Sequence, residues 1–224
     1  MKRRWLWKGL AVTVAAAAVA GWLHLATGGA TGTAPPGPGA AGPGAAGPGA
    51  ARSAPAAVPP GEVLLQEGIK QGELRNHDLA ESIFRQVLTL DPGNKLAWYN
   101  LGVVAQQNNR SADALTAYDS ALRTDPGYQP ALFNKAVLLG PDDTDQAVSI
   151  LRRIVAADPK AATAHLNLGY DLAKQGRRGE AEESFRTAVR TDPSLRPLVP
   201  EEFRDSVSTD PTSEPTAPQT GANR

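Results

Sequence analysis

Residues 95–128 read KLAWYNLGVVAQQNNRSADALTAYDSALRTDPGY, and closely similar stretches stand immediately before and after them. Asp-Pro recurs at Asp91-Pro92, Asp125-Pro126, Asp158-Pro159 and Asp192-Pro193, in steps of 34, 33 and 34 residues. Ala80, Ala114, Ala147 and Ala181 keep the same three steps. A period in the thirties marks a stacked solenoid.

Each part of the unit has a physical task. Trp98, Leu101 and Val104 or Ala105 fall at helical spacing, so the first segment is a helix burying one stripe. Gly68, Gly102, Ala136 and Gly169 recur in the middle of that helix. A glycine there costs roughly 1 kcal/mol against alanine, so close helix–helix approach is expected to compensate. A short loop (NNRSAD, PDDTDQ or QGRRGE) precedes a second apolar-periodic segment. The unit then ends at Asp-Pro, because a proline pushes the residue before it out of helical geometry. A helix–turn–helix of this size cannot bury its apolar stripe alone and must stack on its neighbours.

These residues resemble the tetratricopeptide repeat. With Lys95 as the first position, Trp98, Leu101, Gly102, Ala114, Tyr118, Ala121 and Pro126 match the family's pattern, and Leu168, Gly169, Ala181, Phe185, Ala188 and Pro193 match in the last unit. The first unit keeps Gly68, Ala80, Phe84 and Pro92 but has Leu64 and Glu67 where Trp and Leu are usual. The third has a one-residue deletion between 136 and 147, placed in the inter-helix loop around Gly140-Pro141, where loss is tolerated best. The resemblance implies an all-α, right-handed α-solenoid of four units (61–94, 95–128, 129–161 and 162–195) in a membrane-anchored protein of bacterial type. Leu195, Leu198, Val199, Phe203 and Val207 predict a short capping helix over 196–207, opening at Pro200. The tail, 208–224, is expected to be disordered.

Upstream, Lys2, Arg3, Arg4 and Lys8 lie in a basic segment, 1–8. They precede Gly9–Ala26, which has no charged side chain. At ~1.5 Å per residue these residues form a helix of ~27 Å, enough to cross a bilayer core. Trp5, Trp7 and Trp22 bracket it at the expected interface depth. A cleaved signal peptide, ending near Gly28-Gly29-Ala30, is the alternative. The expectation is a single-pass anchor with the repeats on the extracytoplasmic side, or a secreted protein if the segment is cleaved. Residues 27–60 hold GPGAA three times and too little apolar bulk to offset ordering, so they read as a disordered tether.

The chain has 23 basic and 23 acidic side chains, which removes a global charge argument for nucleic acid. Cysteine is absent, which excludes disulfides, thiolate metal sites and thiol catalysis. His24, His77 and His165 form no metal-ligand spacing; His165 stands where the repeat usually has Trp and is expected to be packed and hydrogen-bonded. Asp142-Asp143-Thr144-Asp145 lacks the spaced ligands of a calcium loop; Asp143 with Gln146 reads as a helix cap. No catalytic, cofactor, metal, nucleic-acid or small-molecule site is expected, so the chain reads as a non-enzyme.

What remains is a peptide-binding groove on the concave face, lined by the first helix of each unit, as the resemblance implies. Asn100, Asn134 and Asn167 occupy one equivalent position, with Gln66 in the first unit. Amides carry donors and an acceptor, so such a ladder can bond an extended peptide's backbone whatever its sequence. Leu65, Ile69, Tyr99, Val103, Phe133, Val137, Leu166 and Tyr170 flank it as an expected apolar wall. The basic residues of the family's clamp for acidic tails are missing: Leu65, Ile69, Asn100, Pro130 and Asn134 stand there. Two functions follow. One is a membrane-tethered module that binds a partner protein or peptide in assembly or export of envelope proteins. The other is a non-catalytic docking or regulatory subunit of an envelope enzyme complex.

Overall fold

The computed structural model describes residues 59–207. The expected anchor, nearly all of the tether, and the tail lie outside those residues. Eight long helices follow in order: α1 (Pro60–Glu73), α2 (His77–Leu90), α3 (Lys95–Gln107), α4 (Ser111–Thr124), α5 (Gln129–Leu139), α6 (Thr144–Ala157), α7 (Ala162–Lys174) and α8 (Arg178–Thr191). A 3₁₀ segment (Pro193–Leu198) and a one-turn helix, α9 (Glu201–Arg204), complete them. Among the described residues there is no strand. Each helix packs on the next in sequence, within repeats and between them. Pro60, expected in the tether, is the first residue of α1, a position that suits a residue with no N–H to contribute.

The repeat boundaries are built by their aspartates. Asp91, Asp125, Asp158 and Asp192 follow α2, α4, α6 and α8 with φ between −139° and −131° and ψ near 90°. Each carboxylate then accepts the N–H two residues on, at 3.1, 3.0, 2.9 and 3.0 Å. Proline ends the helix and the aspartate ties the turn. The same economy starts the next helix in places: Asn94 Oδ1 accepts from Ala97 N and caps α3, and Asp143 Oδ1 accepts from Gln146 N and caps α6.

Each mid-helix glycine is the seat of an aromatic ring. A Cβ on Gly68 would lie 2.7 Å from Phe84 Cε1, one on Gly102 2.5 Å from Tyr118 Cε1, and one on Gly169 2.6 Å from Phe185 Cδ1. Phe84, Tyr118 and Phe185 are fully buried, worth about 1.5–3 kcal/mol each in transfer terms. In the third repeat the equivalent pair is Ala136 with Leu151, both buried. The smaller aliphatic partner tolerates the extra methyl.

The third repeat also accounts for its deletion. The other three inter-helix loops pass through a left-handed residue, Arg75 (φ 62°), Asn109 (φ 58°) or Gly176 (φ 75°). The deletion, expected in the loop, falls instead on the helix: α5 has 11 residues where α3 and α7 have 13, and the four-residue turn after it has no such residue. Instead α5 stops at Leu139, and Gly140 follows in right-handed geometry.

At the far end the expected capping helix over 196–207 is replaced by the 3₁₀ segment and α9. Pro197 and Pro200 cannot supply the N–H groups of one continuous helix. Pro200 is the N-cap of α9 rather than its first residue. Val199 and Phe203 are nonetheless buried. The Phe203 ring lies 5.1 Å from that of Phe185, and the Arg178 guanidinium sits 4.9 Å above it.

Candidate functional site

The four amides share one register on α1, α3, α5 and α7, but they do not share one environment. Asn100 Nδ2 donates to Leu96 O at 2.8 Å, and Asn167 Nδ2 donates to Thr163 O at 2.9 Å. Both bonds run back four residues along the same helix. Each leaves one N–H and the carbonyl oxygen without a partner among the described residues. Gln66 is exposed and donates to Glu62 Oε1.

Asn134 is different. It is buried, as Asn100 is, but its Nδ2 lies 3.3 Å from the Tyr99 hydroxyl and 3.4 Å from that of Tyr118. The reason is in the preceding repeat. Tyr99 and Tyr118 sit where Asn167 finds Phe133 and Leu151, and where Asn100 finds Leu65 and Phe84. Without a hydroxyl to meet, those two asparagines turn to their own backbone. The expected ladder is therefore broken at its middle rung.

Asn134 belongs to an interior polar cluster between the second and third repeats. Tyr118 Oη donates to Gln106 Oε1 at 2.7 Å. The Tyr99 ring stands 6.0 Å from that of Tyr118 and edge-on to Tyr128 at 5.5 Å. Lys95 Nζ lies 5.1 Å over the Tyr128 ring and binds Asp125 Oδ2 at 2.6 Å. Burial raises the Tyr99 and Tyr118 hydroxyls far above the usual phenol range, and pushes Tyr128 up to about 12. These hydroxyls act as neutral hydrogen-bonding groups.

The expected apolar wall is largely core. Leu65, Tyr99, Val103, Phe133 and Leu166 are buried. They pack against the second helices and the adjoining repeats, because a solenoid takes its interior from the same helices that line its surface. Ile69, Val137 and Tyr170 remain half-buried. Tyr170 Oη is held by the terminal cap through Leu198 O. His165 Nε2 lies 3.2 Å from Pro159 O, as Trp98 Nε1 donates to Pro92 O at 2.8 Å. The histidine takes the tryptophan's place, and burial lowers its pKa.

Charged groups tie neighbouring repeats together. Arg110 binds Glu81, Lys135 binds Asp119 at 2.5 Å, and Arg152 binds Glu180 at 2.6 Å. The Arg110 guanidinium holds Glu81, and the Arg177 guanidinium Glu180, below the usual carboxylate range. A shallow hollow of about 400 Å³ lies between α4, α5 and α6. Its cations are already engaged: Lys135 by Asp119, Arg123 by Ser120, and Arg153 by Pro126 O.

Asp171 was not singled out by its sequence position. It lies against the turn after α5, where a Cβ on Gly140 would stand 2.9 Å from its Oδ1. Lys174 Nζ donates instead to Gly140 O and Pro141 O, both at 2.7 Å. Burial pushes Asp171 up to about 6, against 3.8 for the free side chain. The folded protein thus holds this proton more tightly. The contribution is fully present below about pH 4 and is lost as pH rises through 6. Asp171→Asn is expected to stabilise the chain at pH 7.5 by on the order of 1 kcal/mol and to flatten the slope between pH 4 and 7. Thermal unfolding across that range is the check; an unchanged slope contradicts it.

Comparison with known proteins bears on this fold. The chain is 30% identical over 95 residues to the probable UDP-N-acetylglucosamine–peptide N-acetylglucosaminyltransferase SPINDLY of Petunia hybrida, covering 42% of this chain and 10% of the relative. It is 30% identical over 117 residues to the cytochrome c-type biogenesis protein CycH of Rhizobium meliloti (strain 1021), covering 49% and 30%. The chain thus spans about a tenth and about a third of these relatives' lengths. The crystal structure of YrrB, described as a TPR protein with an unusual peptide-binding site, superposes with a TM-score of 0.55. It is 19% identical and is covered over 79% of its length, for 65% of this chain. The tetratricopeptide repeat model matches residues 65–129 and 137–195, more than half of the 224 residues. With four Asp-Pro-closed helix pairs and an aromatic ring seated on a glycine in three of them, the chain belongs to the tetratricopeptide repeat family.

Proposed function

We propose that this chain is a non-catalytic docking module that holds an extended segment of a partner protein along the face formed by α1, α3, α5 and α7. The observation that carries this reading is the matched geometry of Asn100 and Asn167. Two repeats apart, both amides make the same backward bond and leave the same donor and acceptor unpaired among the described residues, Asn100 at 7% exposure and Asn167 half-buried. An extended chain offers N–H and C=O groups in regular succession, which such amides can bond without reading sequence. Gln66 extends the row, while Ile69, Val137 and Tyr170 supply its apolar margin. Asn134 holds the second and third repeats together and is not a contact.

The likeness to a protein named for cytochrome c-type biogenesis supports an assembly role. Residues 9–26 would anchor the module in a membrane and residues 27–58 would give it reach, with the repeats outside the cytoplasm. Asn100→Ala with Asn167→Ala is expected to weaken partner recovery roughly tenfold or more in crosslinked capture from native cells. Helical content should remain, since neither side chain bonds another repeat. Recovery equal to wild type would contradict the reading.

A further inference from the structure

Val63, Leu74 and Leu79 are 55, 60 and 50% exposed, and all three lie on the upstream edge of the first repeat. The later repeats define that edge. Val63 is equivalent to Ala97, Ala131 and Ala164, which are 0, 0 and 2% exposed and pack in core clusters with the preceding repeat. Leu74 is equivalent to Asn108 and Gln175, which bond His77 and Asp145 of their preceding repeats. Leu79 is equivalent to Asp113 and Glu180, the latter paired with Arg152 upstream. Positions that elsewhere reach a neighbour are here large, apolar and bare. An outermost repeat needs a polar outer face to be soluble alone, so this edge has the composition of a covered one.

The chain's own adjoining residues are poorly suited to cover it. Between residues 27 and 58 no apolar side chain is larger than valine or proline. The opposite edge is already closed by Val199 and Phe203, which blocks head-to-tail stacking. What remains is a surface that matches itself. Val63, Glu67, Lys70 and Leu74 form one stripe at spacings of four, three and four residues along α1 and its C-cap. Lys70 is exposed and Glu67 partly so; the two lie 3.9 Å apart, and Glu67 Oε1 also accepts from Gln71 Nε2 on the same helix. Turned end for end, the stripe sets Val63 on Leu74 and Glu67 on Lys70, in both directions about one two-fold axis between Gly68 and Ile69. A parallel crossing would set Glu67 on Glu67.

We propose that a second copy of this chain covers this edge, the two α1 helices crossing antiparallel with Leu79 of each flanking the contact. Sedimentation velocity on the full chain in detergent tests it. The wild type is expected to dimerise. Glu67→Lys and Lys70→Glu should each weaken the dimer by about tenfold or more, because every cross-axis pair becomes like-charged. The double swap E67K/K70E, and an equimolar mixture of the two single variants, should regain it. Circular dichroism confirms that each variant keeps its helices. A wild-type monomer at every concentration overturns the proposal and leaves the edge to a different protein. So does a dimer indifferent to both reversals, which would place self-association elsewhere in the chain.

Discussion

Tyr118→Ala is expected to lower the unfolding free energy by about 3–5 kcal/mol, a large share of the 5–15 kcal/mol typical of a domain. The ring is fully buried and rests on Gly102, so its loss leaves a cavity against a helix that cannot move inward to fill it. The hydroxyl joins three elements, donating to Gln106 of α3 and lying within reach of Asn134 of α5. Tyr118→Phe keeps the ring and strips only those bonds, leaving half-buried Gln106 without its donor and buried Asn134 with the Tyr99 hydroxyl alone. It should cost about 1–3 kcal/mol. Urea unfolding of the three proteins at neutral pH orders them. A loss below about 1 kcal/mol for alanine would mean that the second and third repeats are not joined through this residue.

Gly169→Ala is expected to destabilise by about 1–3 kcal/mol, although alanine is the better helix former by roughly 1 kcal/mol. The new methyl would meet Phe185 at 2.6 Å from two ring carbons. That ring has no retreat: Phe203 lies 5.1 Å beyond it and Tyr170 stands edge-on at 5.4 Å. Adding Phe185→Leu reproduces the Ala136–Leu151 pair of the third repeat. The double variant should therefore cost less than the sum of the two singles, with a favourable coupling of roughly 1 kcal/mol or more. Strict additivity would show that the glycine does not serve the ring.

Much of this was legible in the residues because it is local or repeated. The period and the Asp-Pro ends follow from backbone rules applied four times, and the mid-helix glycine from one applied three times, with Ala136 in the third repeat. The site was less legible, because an asparagine's role depends on what the preceding repeat sets beside it. Asn134 meets two hydroxyls and bonds to the preceding repeat; Asn100, though also buried, and Asn167 meet none and bond to their own helices. Those neighbours lie 16 and 35 residues away, and the sequence names them only once the stacking register is known. Most of the expected apolar wall went into the core, leaving Ile69, Val137 and Tyr170 half-buried, for a related reason. Helical spacing marks a stripe as apolar but does not divide it between core and groove. The terminal cap departed from a single helix because Pro197 and Pro200 interrupt it.

The position of the groove is the central claim, and a photoreactive amino acid can test it residue by residue. Placed at Gln66 or Asn167 on the first-helix face, it should form an adduct with a partner protein in native cells. Placed at Ser149, an exposed position on α6, it should not. Adducts from Ser149, with none from Gln66 or Asn167, would contradict the account and move the binding surface to the second helices.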